Sequence, residues 1–106
     1  MRVATIGATI TFEWDETKNR SNIRKHGFDF ADAEELFRGA LLGRPDTRED
    51  YGEKRWIGIG MVRGRVAFVA FAEPSDDTVR IISPRKAGRE ERKDYEKAIQ
   101  NGLEAY

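Results

Sequence analysis

The 106-residue sequence contains no cysteine and a single histidine. The first absence excludes disulfide frameworks, thiolate zinc sites and cysteine nucleophiles, and the second excludes a histidine-rich metal site. An excess of one charge is missing too. Nineteen Lys and Arg against nineteen Asp and Glu give a formal net charge of zero, which rules out the uniformly basic footprint of a histone-like or ribosomal protein. Any polyanion site must therefore be local. Residues 1–10 contain Val3, Ile6 and Ile10 among Gly, Ala and Thr, too little apolar length for a secretory signal or a membrane span. The expectation is a soluble, cytoplasmic protein without a membrane partner. No repeat or low-complexity tract occurs. Gly58 and Gly60 lack the third glycine and the following helix of a dinucleotide loop, and are expected to make room for Trp or Phe packing; no phosphate-binding GxxxxGK[ST] loop and no GxSxG elbow are present. The acids follow no magnesium or calcium pattern, so neither a metal nor a cofactor is expected.

What is present is charge, 36% of the chain, over 39% apolar and 10% aromatic residues. That composition describes one small domain, burying roughly 65% of the surface of its unfolded form. The charge is unevenly placed. Lys18 to His26 carries Lys18, Arg20, Arg24 and Lys25 and no acid; Asp29 to Glu53 carries eight acids against three bases, a net of −5; Arg80 to Lys97 carries seven bases against four acids, a net of +3. If folding joins the two basic stretches, a neutral protein acquires a cationic cleft. Two solvated helix faces are the plainer alternative.

Periodicity predicts strand, helix, helix, strands, helix. Ile10, Phe12 and Trp14 alternate with polar residues in a first strand over about 9–14. Asp15 and Gly27 bracket a helix from 16 to 26, in which Lys18, Asn22 and Lys25 share one polar stripe with His26 beside it, and which Phe28 and Phe30 anchor. Phe30, Ala33, Leu36 and Phe37 form the inner face of a second helix capped by Asp29. A loop through Gly43, Pro45 and Asp46 precedes a hairpin that turns at Arg63-Gly64. Pro74 to Asp77 makes the next turn, and a third strand, Thr78 to Ser83, is stopped by Pro84. A last helix from Arg89 buries Tyr95, Ala98, Ile99, Leu103 and Tyr106. The fold class is α+β, a two-layer arrangement of helices on a small antiparallel sheet.

Chemistry falls to His26, the polar helix and the run Arg80, Arg85, Lys86. His26 has a structural reading, a cation at a helix C-terminus, and a functional one, an imidazole moving protons in phosphodiester cleavage while guanidiniums bind phosphate oxygens. Strand parity sends Arg80 and Arg85 to opposite faces unless Pro84 breaks the strand and redirects the chain, and that break is the expectation.

The blocks Phe12-Glu13-Trp14-Asp15, Lys18, Asn22, Lys25-His26-Gly27-Phe28-x-Phe30, Gly52-Glu53-x-Arg55, Arg80-Ile81-Ile82-Ser83-x-Arg85-Lys86-Ala87 and Glu91-Arg92-x-x-Tyr95 resemble, over about residues 12 to 96, the BrnT family of bacterial type II toxins. The resemblance implies a RelE-like domain over 11–106 behind an amino-terminal extension, 1–10. It implies a ribonuclease that arrests translation, and a BrnA-type ribbon-helix-helix antitoxin that binds operator DNA, in a 2:2 heterotetramer. It also implies that the KHG and RIISxRK blocks lie together. Where the family often has Ser or Thr, this chain has Gly88, which weakens a capping box with Glu91. The roles expected for metal-independent RNA cleavage are proton transfer by His26, charge stabilisation by Arg80 and Arg85, and a second proton-transfer group in Glu53 or Tyr95. Lys18, Asn22, Lys25 and Lys86 would hold the RNA, with Asn22 doubling as a support and Trp14 as a buried anchor. Two other readings stay open: a binding module that keeps the fold without catalysis, or a component acting only within an antitoxin–DNA repressor complex.

Overall fold

The computed structural model describes residues 2–6 and 10–102. Six strands, β1 (Arg2–Ile6), β2 (Ile10–Trp14), β3 (Leu41–Pro45), β4 (Arg55–Val62), β5 (Arg65–Ser75) and β6 (Thr78–Lys86), form one sheet in the order β1-β2-β6-β5-β4-β3. Helix α1 (Glu16–His26), a 3₁₀ helix (Phe30–Arg38) and α2 (Arg89–Gln100) complete the α+β fold. Leu103 and Tyr106, expected on the stripe of the last helix, lie outside the described residues.

The sheet is mixed, not antiparallel. β2 runs parallel to β6, with Phe12 opposite Val79 and Glu13 opposite Arg80. Apolar alternation reads the same for either strand direction, so the sequence carries no sign of it. β1 pairs antiparallel with β2 along its whole length. β3 forms where a loop was expected, pairing with β4 from Leu41–Gly60 to Pro45–Trp56. It is an edge strand, exposed at Gly43, Arg44 and Pro45, and such strands tolerate proline and need no apolar alternation.

Helices cover both sheet faces, so the expected two layers become three. Under the 3₁₀ helix, Phe30, Ala33, Leu36 and Phe37 pack on Phe12, Val69, Phe71 and Ile81. Phe37 meets Phe12 and Phe71 with ring centroids 5.3 and 5.0 Å apart, the second pair edge-to-face. On the other face Tyr95 of α2 packs with Ile57, Ile59, Phe68 and Ala70. The room at Gly58 and Gly60 is taken mainly by Leu36: a Cβ at Gly58 would stand 2.7 Å from its Cδ2 and 3.2 Å from Phe71 Cε1. Arg63 and Gly64, with φ of 53° and 74°, make the expected hairpin turn.

The expected break at Pro84 is absent; β6 continues to Lys86, with Pro84 buried and opposite Val69. The parity problem is solved two residues earlier. Ile81 pairs with Phe71 and Ser83 with Ala70, so Ile82 is an extra residue, a β-bulge. Directly opposed residues share a face, so Arg80 (opposite Ala72), Ser83 (opposite Ala70) and Arg85 (opposite Phe68) all point to the face that carries Tyr95.

Candidate nucleic-acid interface

Helix α1 has almost no apolar face, and two buried asparagines hold it. Asn22 Nδ2 donates to the carbonyls of Phe28 (3.1 Å) and Pro84 (2.9 Å). Asn19 accepts from the Phe30 N–H (2.9 Å) and donates to Asp29 Oδ1 (3.0 Å). Asp15 caps the helix through the N–H groups of Thr17 and Lys18, and Gly27, at φ 73°, ends it. The expected anchors Phe28 and Phe30 are buried, as is Trp14, whose indole N–H reaches Glu16. α1 is thereby fastened beside β6, and the two basic stretches meet.

Between them lies a hollow of about 270 Å³ lined by Lys18, Ser21, Asn22, Lys25, His26 and Ser83, together with Phe30 and Ile82. No acid lines it. Lys18, Lys25 and His26 are exposed, and none makes an ion pair among the described residues.

A second hollow shares Lys18 and Ile82 with the first and adds Asp15, Glu53, Arg55 and Arg80. Here charges are interlocked. Arg80 donates from Nε to Glu13 Oε1 (3.1 Å) and from Nη1 to Glu53 Oε1 (3.2 Å), while Glu53 Oε2 accepts twice from Arg55 at 3.2 Å. Arg55 stacks over Tyr51 at 4.2 Å. The sheet register explains the row: Arg55, Ala72, Arg80 and Glu13 are cross-strand neighbours on one face, and the small Ala72 lets Glu53 span the two guanidiniums. Both oxygens of Glu53 are engaged by guanidiniums. The sequence offered Arg55 only as part of a motif and Glu13 as one polar position in an alternating strand; parallel pairing gives Glu13 its place.

Arg85 lines neither hollow. It occupies a third, of about 340 Å³, with Arg44, Thr47, Arg48, Ile57, Phe68 and Glu91. Arg85 makes a two-pronged contact with Glu91 (3.0 and 2.9 Å) and stacks 3.8 Å over the Phe68 ring. Arg48 lies 5.3 Å over the same ring and grips the buried Asp46 at 2.8 Å through two nitrogens. Those hydrogen bonds hold the Asp46 carboxyl below its usual range despite its burial. Burial pushes Glu91 upward, but hydrogen bonds from Arg85 and the Gly88 N–H, with the charges of Arg85 and Arg44, outweigh it and leave the carboxyl below its ordinary value. The bond from Gly88 N–H to Glu91 (2.7 Å) is the half of the capping box that survives without a side chain at Gly88, and α2 begins at Arg89 as expected.

Arg80 and Arg85 thus share a face but not a hollow. Lys86 is exposed, and its carbonyl accepts from Arg85. Tyr95 lies apart, its hydroxyl donating to the Ala40 carbonyl (3.3 Å) in a recess with Glu35, Arg38 and Met61, and burial raises its pKa. Among the described residues no group of three or more His, Asp or Glu is placed to hold a metal ion, and no helix is long and apolar enough to cross a membrane.

Comparison with known proteins adds three findings. No curated protein matches the chain. A solved structure does: the 1.1 Å crystal structure of the Brucella abortus ribonuclease toxin BrnT is 33% identical, covers 74% of this chain and 96% of its own, and superposes with a TM-score of 0.56. The family model for the ribonuclease toxin BrnT of type II toxin-antitoxin systems matches residues 14–91, a stretch containing α1, the bulge and all three cationic hollows. The chain belongs to the BrnT family of ribonuclease toxins of type II toxin-antitoxin systems.

Proposed function

We propose that this chain is a metal-independent endoribonuclease whose reacting phosphate sits in the acid-free hollow between α1 and β6. The observation that carries this is the hollow itself: Lys18, Lys25 and His26 line it with no acid, and it shares Lys18 and Ile82 with the hollow of Arg80. Cleavage forms a bond from the ribose 2′-oxygen to phosphorus and breaks the bond from phosphorus to the 5′-oxygen. One proton leaves the 2′-hydroxyl and one reaches the 5′-oxygen. His26 exchanges protons with the substrate, its imidazole carrying one nitrogen that can accept and one that can donate. Lys18 and Lys25 hold the phosphate, and Arg80 stabilises the charge that develops on it through its unshared N–H groups. Glu53, bound by two guanidiniums, positions Arg80 rather than carrying a proton, and Tyr95 supports α2. In the family's setting the partner is a BrnA-type ribbon-helix-helix antitoxin in a 2:2 assembly on operator DNA, with an acidic segment over the cationic hollows, and the site of action is the cytoplasm. The arrangement is RelE-like in that a helix-flanked sheet presents basic residues to RNA.

Purified protein incubated with RNA in excess chelator should leave 2′,3′-cyclic phosphate and 5′-hydroxyl ends, with the activity lost in His26→Ala. Activity abolished by chelator and restored by magnesium would refute the mechanism. One observation favours a second reading, a binding module without catalysis: Arg80 already meets two carboxylates. RNA bound but never cut in the same assay would establish it.

A further inference from the structure

The third hollow belongs to none of the chemistry above. It lies beside the first along the same strand. Ser83 lines the acid-free hollow and Arg85 the tri-arginine one, two residues on and about 7 Å further at the rise of a β-strand. The bulge at Ile82 places Arg80, Ser83 and Arg85 on a single face, so three cationic hollows follow one another along β6. Arg44 reaches the same face from β3, where it stands opposite Ile57, which in turn stands opposite Ala70.

The third hollow is built to present guanidiniums in fixed positions. Arg85 and Arg48 are each held by a two-pronged carboxylate contact and each lie over the Phe68 ring. Phe68 is 3% exposed, a rigid floor. A guanidinium fixed in this way loses little freedom when it binds an oxyanion, and Nε of Arg85 makes no hydrogen bond among the described residues. With Arg44 the hollow carries three positive charges against Glu91 and Asp46, a surplus that one phosphate diester neutralises.

We infer that the Arg44–Arg48–Arg85 hollow is a phosphate subsite for single-stranded RNA, receiving a backbone phosphate remote from the one cleaved. Arg85 is on this account a substrate-binding residue, and the substrate is an extended strand of several nucleotides lying along β6. The inference rests on the ribonuclease reading and specifies its substrate: each added nucleotide that reaches the third hollow strengthens binding, and duplex RNA, held in A-form, follows the strand poorly.

The test uses fluorescent, uncleavable 2′-O-methyl oligoribonucleotides of two to eight nucleotides and the full chain, with binding read by anisotropy at several salt concentrations. In the wild type Kd should fall as the oligonucleotide lengthens. Arg44→Ala, which leaves the two carboxylate-held arginines in place, should shrink that gain several-fold. It should also flatten the plot of log affinity against log salt by roughly 0.7, the contribution of one phosphate contact on a single strand. Arg48→Lys keeps the charge opposite Asp46 but loses the planar fork, and should also lower the length gain while a thermal melt shows the protein folded. A length gain and a salt slope unchanged in both folded variants would overturn the inference. The same outcome with an acidic peptide, but not RNA, competing at Arg44 would assign the hollow to a protein partner and equally overturn it. Failure of the wild type to bind any of the oligonucleotides would instead refute the ribonuclease reading itself.

Discussion

Replacing Asn22 by alanine removes the amide that ties α1 to β6. Both bonds from its Nδ2 end on carbonyls, of Phe28 and Pro84, in a buried setting. A buried carbonyl stripped of its donor costs about 1–3 kcal/mol, and because each retains a second lone pair and water can enter the space vacated, the two together should cost about 2–4 kcal/mol. In a domain of this size each kcal/mol lowers Tm by about 4–8 °C, so the melting temperature should fall by about 8–32 °C. Asn22→Asp goes further at neutral pH, since a carboxylate would face both carbonyl oxygens with no proton to give. The comparison that isolates the effect is Lys18→Ala on the exposed stripe of the same helix, which should change stability by no more than about 0.5 kcal/mol. The assay is thermal unfolding followed by far-ultraviolet circular dichroism. A fall of less than about 3 °C for Asn22→Ala would refute the idea that α1 is held by polar bonds and would return the anchoring entirely to Phe28 and Phe30.

Gly58→Ala should destabilise by about 1–3 kcal/mol, because its Cβ would meet Leu36 Cδ2 at 2.7 Å; Leu36→Ala in the same chain should relieve part of that overpacking, and denaturant midpoints of the double mutant check it. Glu91 is held below its ordinary pKa, so its stabilising contribution is complete above the usual carboxylate range and is lost as pH falls through the depressed value; Tm should drop less between pH 6 and pH 3 in Glu91→Gln than in the wild type. His26→Ala and Arg80→Ala should each reduce RNA cleavage by about 10²–10³-fold, with the His26 variant melting within a few degrees of the wild type, measured by single-turnover cleavage and thermal denaturation.

Local chemistry made much of the fold legible. Asp15 and Gly27 bracket α1 because a side-chain oxygen and a left-handed residue are what helix ends require, and Arg63-Gly64 announces its hairpin for the same kind of reason. What needed the structure was long-range. No local pattern distinguishes the parallel pairing of β2 with β6, and an edge strand such as β3 needs no apolar alternation to exist. The 3₁₀ helix buries the four residues its spacing predicts, Phe30, Ala33, Leu36 and Phe37, although its winding is tighter than the α-helix that spacing suggests. In the candidate site, the meeting of Lys18, Lys25 and His26 with β6 was foreseen. The separation of Arg85 from Arg80 was not, because it depends on Glu91 and Phe68, residues brought to Arg85 from α2 and a neighbouring strand. Likewise the locking of Glu53 between Arg55 and Arg80 depends on Ala72 being small at the position between them.

The bulge at Ile82 makes the stretch from Arg80 to Arg85 a ruler of fixed length. Deleting Ile82 alone would remove the extra residue and leave Arg80 and Arg85 four positions apart in a regular strand, still on one face, with Ile81 opposite Phe71 and Ser83 opposite Ala70 as before. Removal of a second residue would leave the arginines three positions apart and turn one of the two into the aromatic packing beneath the 3₁₀ helix. Natural variation in this strand should therefore come as substitutions or as loss of the bulge residue itself, and a relative whose two arginines stand an odd number of positions apart should keep a bulge between them. The same arithmetic offers a way to inactivate the proposed RNA track without touching any charged side chain: ΔIle82 should keep Arg80 and Arg85 on one face, whereas deleting Ile81 and Ile82 together should fold poorly or, if it folds, present them on opposite sides of the sheet.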